Sequence, residues 1–217
     1  MKAVIFDFDY TLGDSTDGIV ISVNYALQKL RMEVSDTRQI RRTIGLSLKE
    51  TYFALTNDKN QEKAALFSGY FREKADEVMV RNAVLYSGVK DILFRLQEKG
   101  YKTAIVTTKY RHRIEQILNK YSSGDLVNMI VGSDDVKNEK PDPEGILRVV
   151  RDLGMKKTDV VYIGDSLVDA KAAENAQVNF IAVLTGTTTK KEFGEYDHLC
   201  VCKDITEVFH YLLSLEQ

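Results

Sequence analysis

The 217-residue sequence lacks the long apolar runs and the excess of basic charge that mark membrane and nucleic-acid-binding proteins. No run approaches the roughly 20 apolar residues that a membrane-spanning helix needs. Asp7 interrupts the first short apolar stretch too early for a secretory signal. The formal net charge is −2, which gives no basic footprint for nucleic acid. We therefore expect a cytoplasmic globular protein that binds small ligands, with no membrane or nucleic-acid partner.

Residues that bind soft metals are also scarce, because the chain has two cysteines and three histidines. Cys200 and Cys202 form a C-x-C pair in a stretch that alternates like a strand, so their side chains share one face. Two ligands alone make a poor metal site, and we interpret the pair as buried, reduced thiols. The histidines have no ligand spacing, and we assign them no function.

Short β-branched runs alternate with segments of helical period along most of the chain. Ser87 precedes one such segment and Gly100 follows it, as expected for a helix start and stop. Asp142 followed by Pro143 predicts an N-cap and a proline at the first helical position. This alternation predicts a Rossmann-like α/β fold with a parallel sheet covered by helices. The predicted strands span residues 3–6, 102–106, 126–131, 160–163, 178–183 and 199–202.

The long interval between the first two predicted strands breaks this alternation and contains only helical patterns. Ile19, Val23 and Leu27 recur at helical spacing, and Ser47 with Glu50 predicts a capping box. We predict an all-helical insertion over residues 15–81, which leaves residues 1–14 and 82–217 as the α/β core.

Polar side chains follow several of the predicted strands, at the sheet edge where open parallel sheets bind ligands. Lys140 directly precedes the segment that holds both prolines of the chain, whose fixed φ angles stiffen the loop. The polar residues at the strand ends are Asp7, Asp9, Thr107, Thr108, Asp165 and, one helical turn later, Asp169.

Asp7 and Asp9 point to the same side of a strand, where like charges repel and raise one pKa unless a cation intervenes. Carboxylate oxygens with room for water suit Mg²⁺. A Mg²⁺ ion between Asp7 and Asp165 offsets the repulsion and keeps Asp7 ionised as a nucleophile. Lys140 and the Thr107 hydroxyl then hold phosphoryl oxygens, and Asp9 is left for proton transfer.

Four motifs in this order resemble the haloacid dehalogenase superfamily, and its phosphatase branch in particular. DFDYT is similar to the first motif D-x-D-x-T, and IVTTK is similar to the strand that ends in Thr or Ser. Lys140 before PDP resembles the third motif, and GDSLVD resembles the fourth. The insertion after the first motif resembles the cap of the subfamily that includes phosphoglycolate phosphatases, pyrophosphatases and β-phosphoglucomutases.

This resemblance implies a phosphatase that hydrolyses a small phosphate monoester through an aspartyl-phosphate on Asp7. Asp9 would protonate the leaving oxygen and then deprotonate the attacking water. Mg²⁺ would be bound by the Asp7 carboxylate, the Asp9 backbone carbonyl and Asp165.

The remaining motif residues receive supporting roles from the same resemblance. Thr107, together with the amide of Thr108, would bind the transferring phosphoryl group. Asp169 would orient Lys140 or a metal-bound water. We expect a monomer or a homodimer, and the motifs do not distinguish between these two states.

Several functions remain open at this point. A β-phosphoglucomutase-like phosphomutase uses the same motifs. Among substrates, phosphoglycolate is the first expectation by family resemblance, and inorganic pyrophosphate is the second. A dehalogenase is disfavoured because, by family resemblance, it lacks the second aspartate that this chain keeps as Asp9. A non-catalytic phospho-accepting signalling module is disfavoured by the helical insertion after the first strand.

Three further features are less specific. Arg38, Arg41 and Arg42 share a face of the insertion, where Arg42 is a candidate contact for a remote anion of the substrate, although a solvated helix face is the simpler interpretation. Tyr10 replaces the glycine that is common in the resembled phosphatases, and we expect a packing role for it. We interpret the threonine-rich segment TGTTTKK after Leu184 as a surface loop.

Overall fold

The computed structural model describes residues 1–215, which divide into two compact units. One unit comprises residues 1–14 and the described residues from Leu85 onward, and the other comprises Ser15–Val84. The role of the second unit as a cap stays a prediction. Within residues 1–215, no helix combines the length and apolar character required to cross a bilayer.

The first unit contains a six-stranded sheet in the order β5-β4-β1-β6-β7-β8, in which all paired neighbours are parallel. This confirms the predicted α/β fold with a parallel sheet. Two further short strands, β2 and β3, pair in a separate two-stranded sheet. The strands are β1 (Ala3–Phe6), β2 (Gly13–Asp14), β3 (Val84–Leu85), β4 (Lys102–Val106), β5 (Met129–Val131), β6 (Val160–Gly164), β7 (Asn179–Val183) and β8 (Cys200–Cys202).

The second unit is built from helices around its own apolar cluster, in which Tyr52 and Phe67 are fully buried. Ser47 begins one helix by accepting a hydrogen bond from the Glu50 amide. The Glu50 carboxylate accepts from the Ser47 hydroxyl and not from its amide, so the predicted capping box is only half formed. The helices are α1 (Thr16–Lys29), α2 (Thr37–Arg41), α3 (Leu48–Thr56) and α4 (Gln61–Asn82).

Helices of the first unit bury apolar faces that the 3.6-residue period predicts. In α7, Ile146, Val149 and Val150 join the cluster formed by the central strands. At roughly 25 cal/mol per Å² of apolar surface, such faces supply the main stabilisation of each helix. These helices are α5 (Val89–Glu98), α6 (Arg111–Lys120), α7 (Glu144–Asp152), α8 (Leu167–Ala176), α9 (Lys190–Phe193) and α10 (Ile205–Ser214).

Some predicted boundaries are wrong, and the backbone hydrogen bonds give the reason. Strand β5 does not begin at Leu126, because the Leu126 and Val127 amides donate hydrogen bonds within a turn at residues 123–127 and are not available for strand pairing. Helix α5 starts after Gly88 instead of Ser87, because Gly88 adopts a left-handed conformation at the N-cap. Pro143 is itself the N-cap of α7, although Asp142 still accepts a hydrogen bond from the Glu144 amide.

Tyr10 lies in a tight turn after β1, with φ of 57° in the left-handed region. The Leu12 and Gly13 amides both donate to the Phe8 carbonyl, and the Tyr10 amide donates to the Gly13 carbonyl. A left-handed conformation costs a non-glycine residue about 1–2 kcal/mol, which explains why glycine suits this position. Burial of the Tyr10 ring, which is 1 % exposed, offsets this cost.

Candidate active site

The register of the central strands brings the predicted motif residues to one edge of the sheet. Phe6 of β1 pairs with Ile105 of β4 on one side and with Ile163 of β6 on the other. The chain therefore leaves these three strands at the same level, and Asp7, Thr107 and Asp165 follow there. All three side chains are buried.

Lys140 is the cation at this edge, and its ammonium contacts two carboxylates. The Lys140 Nζ lies 2.8 Å from Asp7 Oδ1 and 2.6 Å from Asp169 Oδ1. It also donates to the Tyr162 hydroxyl at 3.0 Å. Lys140, Asp7 and Asp169 are nearly inaccessible to solvent. Removing Lys140 would leave two buried carboxylates without this cation, which is a strongly destabilising change.

Asp169 is fixed by four hydrogen bonds, two on each carboxylate oxygen. Oδ1 accepts from Lys140 and from the Tyr162 hydroxyl, and Oδ2 accepts from the amide and hydroxyl of Ser166. The Ser166 contacts are the capping box that begins α8. These bonds fill the acceptor capacity of the carboxylate. Asp169 therefore forms a fixed ion pair with Lys140, and its role in orienting Lys140 stays a prediction.

A short loop presents Lys140, and its backbone is held by side chains on both sides. Glu144 accepts from the amides of Lys137 and Asn138, and Asn175 of α8 donates to the Pro141 carbonyl. These contacts fix the loop before and after Lys140. The buried ammonium is thus placed by the start of α7 and by α8 together.

Three carboxylates converge beside the lysine. Ligand oxygens of Asp7, Asp165 and Asp169 lie within 4.8 Å of one another. The pKa of Asp7 is raised to about 7, chiefly by burial; Lys140 lowers this pKa, whereas the charges of Asp169 and Asp9 raise it. Burial, followed by the charges of Asp169 and Asp7, raises the pKa of Asp165 well above its ordinary value. One lysine does not balance this negative charge.

This cluster fits a divalent cation, which would compensate the charge that Lys140 leaves unbalanced. Hard carboxylate oxygens are the ligands that such cations prefer. Because hydrogen bonds already occupy both Asp169 oxygens, Asp7 and Asp165 are the side chains best suited to ligation. The Asp9 backbone carbonyl stays a predicted third ligand.

Asp9 contacts a residue that sequence reasoning missed, Lys109. The Lys109 Nζ lies 2.8 Å from Asp9 Oδ2, and both side chains are buried. The Lys109 amide donates to the Thr107 hydroxyl oxygen at 3.2 Å. Lys109 therefore joins the first and second motifs. The signal for Lys109 was its position directly after Thr107 and Thr108. Ligands bind at the carboxyl ends of parallel strands, so a charged residue there is a candidate site residue for the same reason as the threonines.

Gly186, in the segment interpreted as a surface loop, lies against the carboxylate cluster. A Cβ placed on Gly186 would meet Asp165 Oδ2 at 1.8 Å. The neighbouring Thr185 hydroxyl donates to the Tyr10 carbonyl. The segment is a loop with exposed residues, as interpreted, but Thr185 and Gly186 are half-buried and lie against the site. The end of β7 at this same sheet edge was the signal that could have found them.

The other predicted site residues lie at more open positions. Thr108 follows Thr107 and is half-buried. Arg42 directly follows α2 in the helical unit, and like Arg38 and Arg41 it is exposed. A substrate contact of Arg42 stays a prediction.

Comparisons with known proteins agree on one family. The family model described as haloacid dehalogenase-like hydrolase matches residues 4–183. The chain is 27 % identical over 210 residues to the pyrophosphatase PpaX of Bacillus velezensis, covering 97 % of this chain and 95 % of that protein. It is 24 % identical to a phosphoglycolate phosphatase of Pseudomonas savastanoi, covering 99 % and 81 %.

A solved structure from Bacteroides fragilis, assigned to the haloacid dehalogenase-like hydrolases, matches with a TM-score of 0.92 and 35 % identity. The match covers 95 % of this chain and 99 % of that chain. A hydrolase from Pseudomonas syringae has the same fold, with a TM-score of 0.85 at 24 % identity and coverage of 99 % of each chain.

The raised pKa values predict that Asp165→Asn stabilises the metal-free protein. The folded state keeps a proton on Asp7 that the unfolded state loses above pH 4, so this group lowers stability as pH rises from about 4 to 7. Because the amide removes a buried negative charge that lies beside Asp7 and Asp169, we expect Asp165→Asn to raise the free energy of unfolding at pH 8.

Urea unfolding in chelator at pH 4, 6 and 8 measures this effect. The difference between variant and parent should grow with pH, and the exposed Asp197→Asn should show no such growth. A variant that is less stable than the parent at pH 8 would contradict the charge imbalance.

Proposed function

The chain belongs to the haloacid dehalogenase-like hydrolases and is a phosphatase of that family, and from this premise we propose that it hydrolyses small phosphate monoesters with Mg²⁺ through an aspartyl-phosphate on Asp7. The observation that carries the proposal is the buried Lys140 ammonium between Asp7 and Asp169. It fixes one carboxylate at the sheet edge beside Thr107 and Asp165, which is what a positioned nucleophile requires.

Asp7 is proposed as the nucleophile. Its carboxylate oxygen forms a bond to phosphorus while the bond from phosphorus to the ester oxygen breaks. Bound by Asp7, Asp165 and the Asp9 backbone carbonyl, Mg²⁺ would supply positive charge that keeps Asp7 ionised and neutralises the phosphoryl oxygens. Lys140 holds Asp7 through Oδ1 and adds a second positive charge beside the phosphoryl group. The Thr107 hydroxyl and the Thr108 amide would bind its remaining oxygens.

Asp9 is proposed as the acid and base. One of its oxygens, Oδ2, is paired with Lys109, while Oδ1 is buried and has no hydrogen-bond partner in the described residues. Oδ1 is thus available to give a proton to the leaving oxygen. It then takes a proton from the water that attacks the aspartyl-phosphate, so the carboxyl returns to its starting state.

Lys109 supports a substrate whose leaving group carries a second negative charge. Its ammonium is buried and lies at the carboxylate that protonates the leaving oxygen. A buried cation there favours an anionic leaving group over a neutral one, because the local dielectric is low. Phosphoglycolate meets this requirement and is the substrate we propose first.

Inorganic pyrophosphate also meets the requirement and is the second candidate. It is favoured by the similarity to the Bacillus velezensis pyrophosphatase over almost the whole of both chains. Cytoplasmic location and a monomeric or homodimeric state stay predictions.

Substitution of the two aspartates tests the mechanism. Asp9→Asn should lower kcat by about 10²–10⁴-fold, the usual contribution of a general acid and base. Asp7→Asn should remove turnover altogether, because an amide does not replace the nucleophile. Phosphate release is measured with each variant at saturating Mg²⁺, after circular dichroism has confirmed folding. Turnover of Asp7→Asn equal to that of the parent would exclude the proposed intermediate.

A panel of substrates tests the role of Lys109. Phosphoglycolate, pyrophosphate, β-glucose 1-phosphate and p-nitrophenyl phosphate are compared with and without Mg²⁺. Lys109→Met should lower kcat/KM about tenfold or more for the first two, as expected for a lost charged contact, and less for p-nitrophenyl phosphate. The exposed Lys156→Met is the control.

Two results of this panel would change the proposal. An equal loss of kcat/KM on all substrates would show that Lys109 does not distinguish between leaving groups. Conversion of β-glucose 1-phosphate to the 6-phosphate without phosphate release would identify a phosphomutase instead.

A further inference from the structure

The two cysteines of the chain lie side by side on β8, the last strand of the six-stranded sheet. The Cys200 and Cys202 Sγ atoms are 3.3 Å apart. Val201 between them packs against the main apolar cluster, so the alternation of the strand turns both thiols to the opposite face. Helix α10 packs against this strand. The pair is therefore a preformed vicinal dithiol.

The two thiols differ in exposure and in acidity. Cys200 is half-buried, whereas Cys202 is 2 % exposed. The hydrogen bond between the two thiols lowers the pKa of Cys200 and raises the pKa of Cys202. A more acidic, accessible thiol beside a resolving thiol is the arrangement typical of redox-active cysteines.

We propose that Cys200 and Cys202 form a reversible thiol redox site, in which a hydroperoxide oxidises Cys200 and Cys202 resolves it to an intramolecular disulfide. The site is independent of phosphoryl transfer. Strand β8 is separated from β1, which leads into Asp7, by β6 and β7.

The chemistry proceeds in two balanced steps. The Cys200 thiolate attacks an oxygen of hydrogen peroxide, the O–O bond breaks, and a sulfenic acid and hydroxide form. The Cys202 thiol then attacks the Cys200 sulfur, the S–O bond breaks, and the thiol proton and the leaving hydroxide form water. Two electrons pass from the dithiol to the peroxide. A small dithiol reverses the reaction by two thiol–disulfide exchanges.

The strand geometry makes this disulfide easy to reduce. Residues two apart on a strand have Cα atoms about 6.6 Å apart, near the upper limit of disulfide geometry. The sulfur atoms must also move closer than 3.3 Å to bond. Because β8 pairs only with β7 within residues 1–215, its free edge allows this movement. A strained bond of this kind has a more oxidising potential than a structural disulfide.

Oxidation followed by alkylation tests the proposal on the full chain. The reduced protein is treated with hydrogen peroxide at low molar excess, alkylated under denaturing conditions and weighed by intact mass spectrometry. Alkylatable thiols should fall from two to none with the loss of two hydrogen atoms and no added oxygen, since the chain has two cysteines. Dithiothreitol should restore both thiols.

The single variants assign the roles of the two thiols. Cys202→Ser should accumulate a sulfenic acid on Cys200 that dimedone traps, because the resolving thiol is gone. Cys200→Ser should oxidise ~tenfold more slowly, because the remaining thiol is buried. Two alkylatable thiols after oxidation of the parent, a disulfide between two chains, or equal oxidation rates of the two variants would overturn the proposal. Phosphatase activity is not used in the test, so failure of the proposed function does not affect its outcome.

Discussion

Lys140 donates to two buried carboxylates, Asp7 and Asp169, and the rest of the site depends on this arrangement. A buried ammonium is stable only when its carboxylate partners are in place. The segments that carry Lys140, Asp7 and Asp169 must therefore pack so that these side chains are within contact distance. Asp7 directly follows β1, and α8 supplies Asp169 through the capping box with Ser166. The same contacts that stabilise these ends of the fold therefore orient the proposed nucleophile.

The charge balance of the site explains both its stability and its chemistry. Asp7, Asp165 and Asp169 place three carboxylates beside one lysine, and burial raises the pKa of Asp7 and Asp165. The buried carboxylates therefore form an unfavourable arrangement of charge at the position where a cation and a phosphoryl group are proposed to bind. Functional sites commonly contain such locally unfavourable features.

Much of this site follows from the sequence, because the strand ends of a parallel sheet meet at one edge. That rule places Asp7, Thr107 and Asp165 from hydrophobic pattern alone. It does not specify which of the neighbouring residues turn inward, so Lys109 and Gly186 were missed. Boundaries such as the start of β5 also depend on a turn whose hydrogen bonds compete with strand pairing. Tyr10 shows the same limit, since its left-handed turn is set by hydrogen bonds to Phe8 and Gly13.

The central claim is that Asp7 becomes covalently phosphorylated during turnover. We expect Asp9→Asn to slow hydrolysis of the aspartyl-phosphate, so this species should accumulate when the variant is mixed with phosphoglycolate and Mg²⁺ and quenched in acid. Peptide mapping by mass spectrometry should then find one phosphoryl group, on Asp7. An acid-quenched protein without a phosphoryl adduct while phosphate is still released, or an adduct on any other residue, would contradict this account.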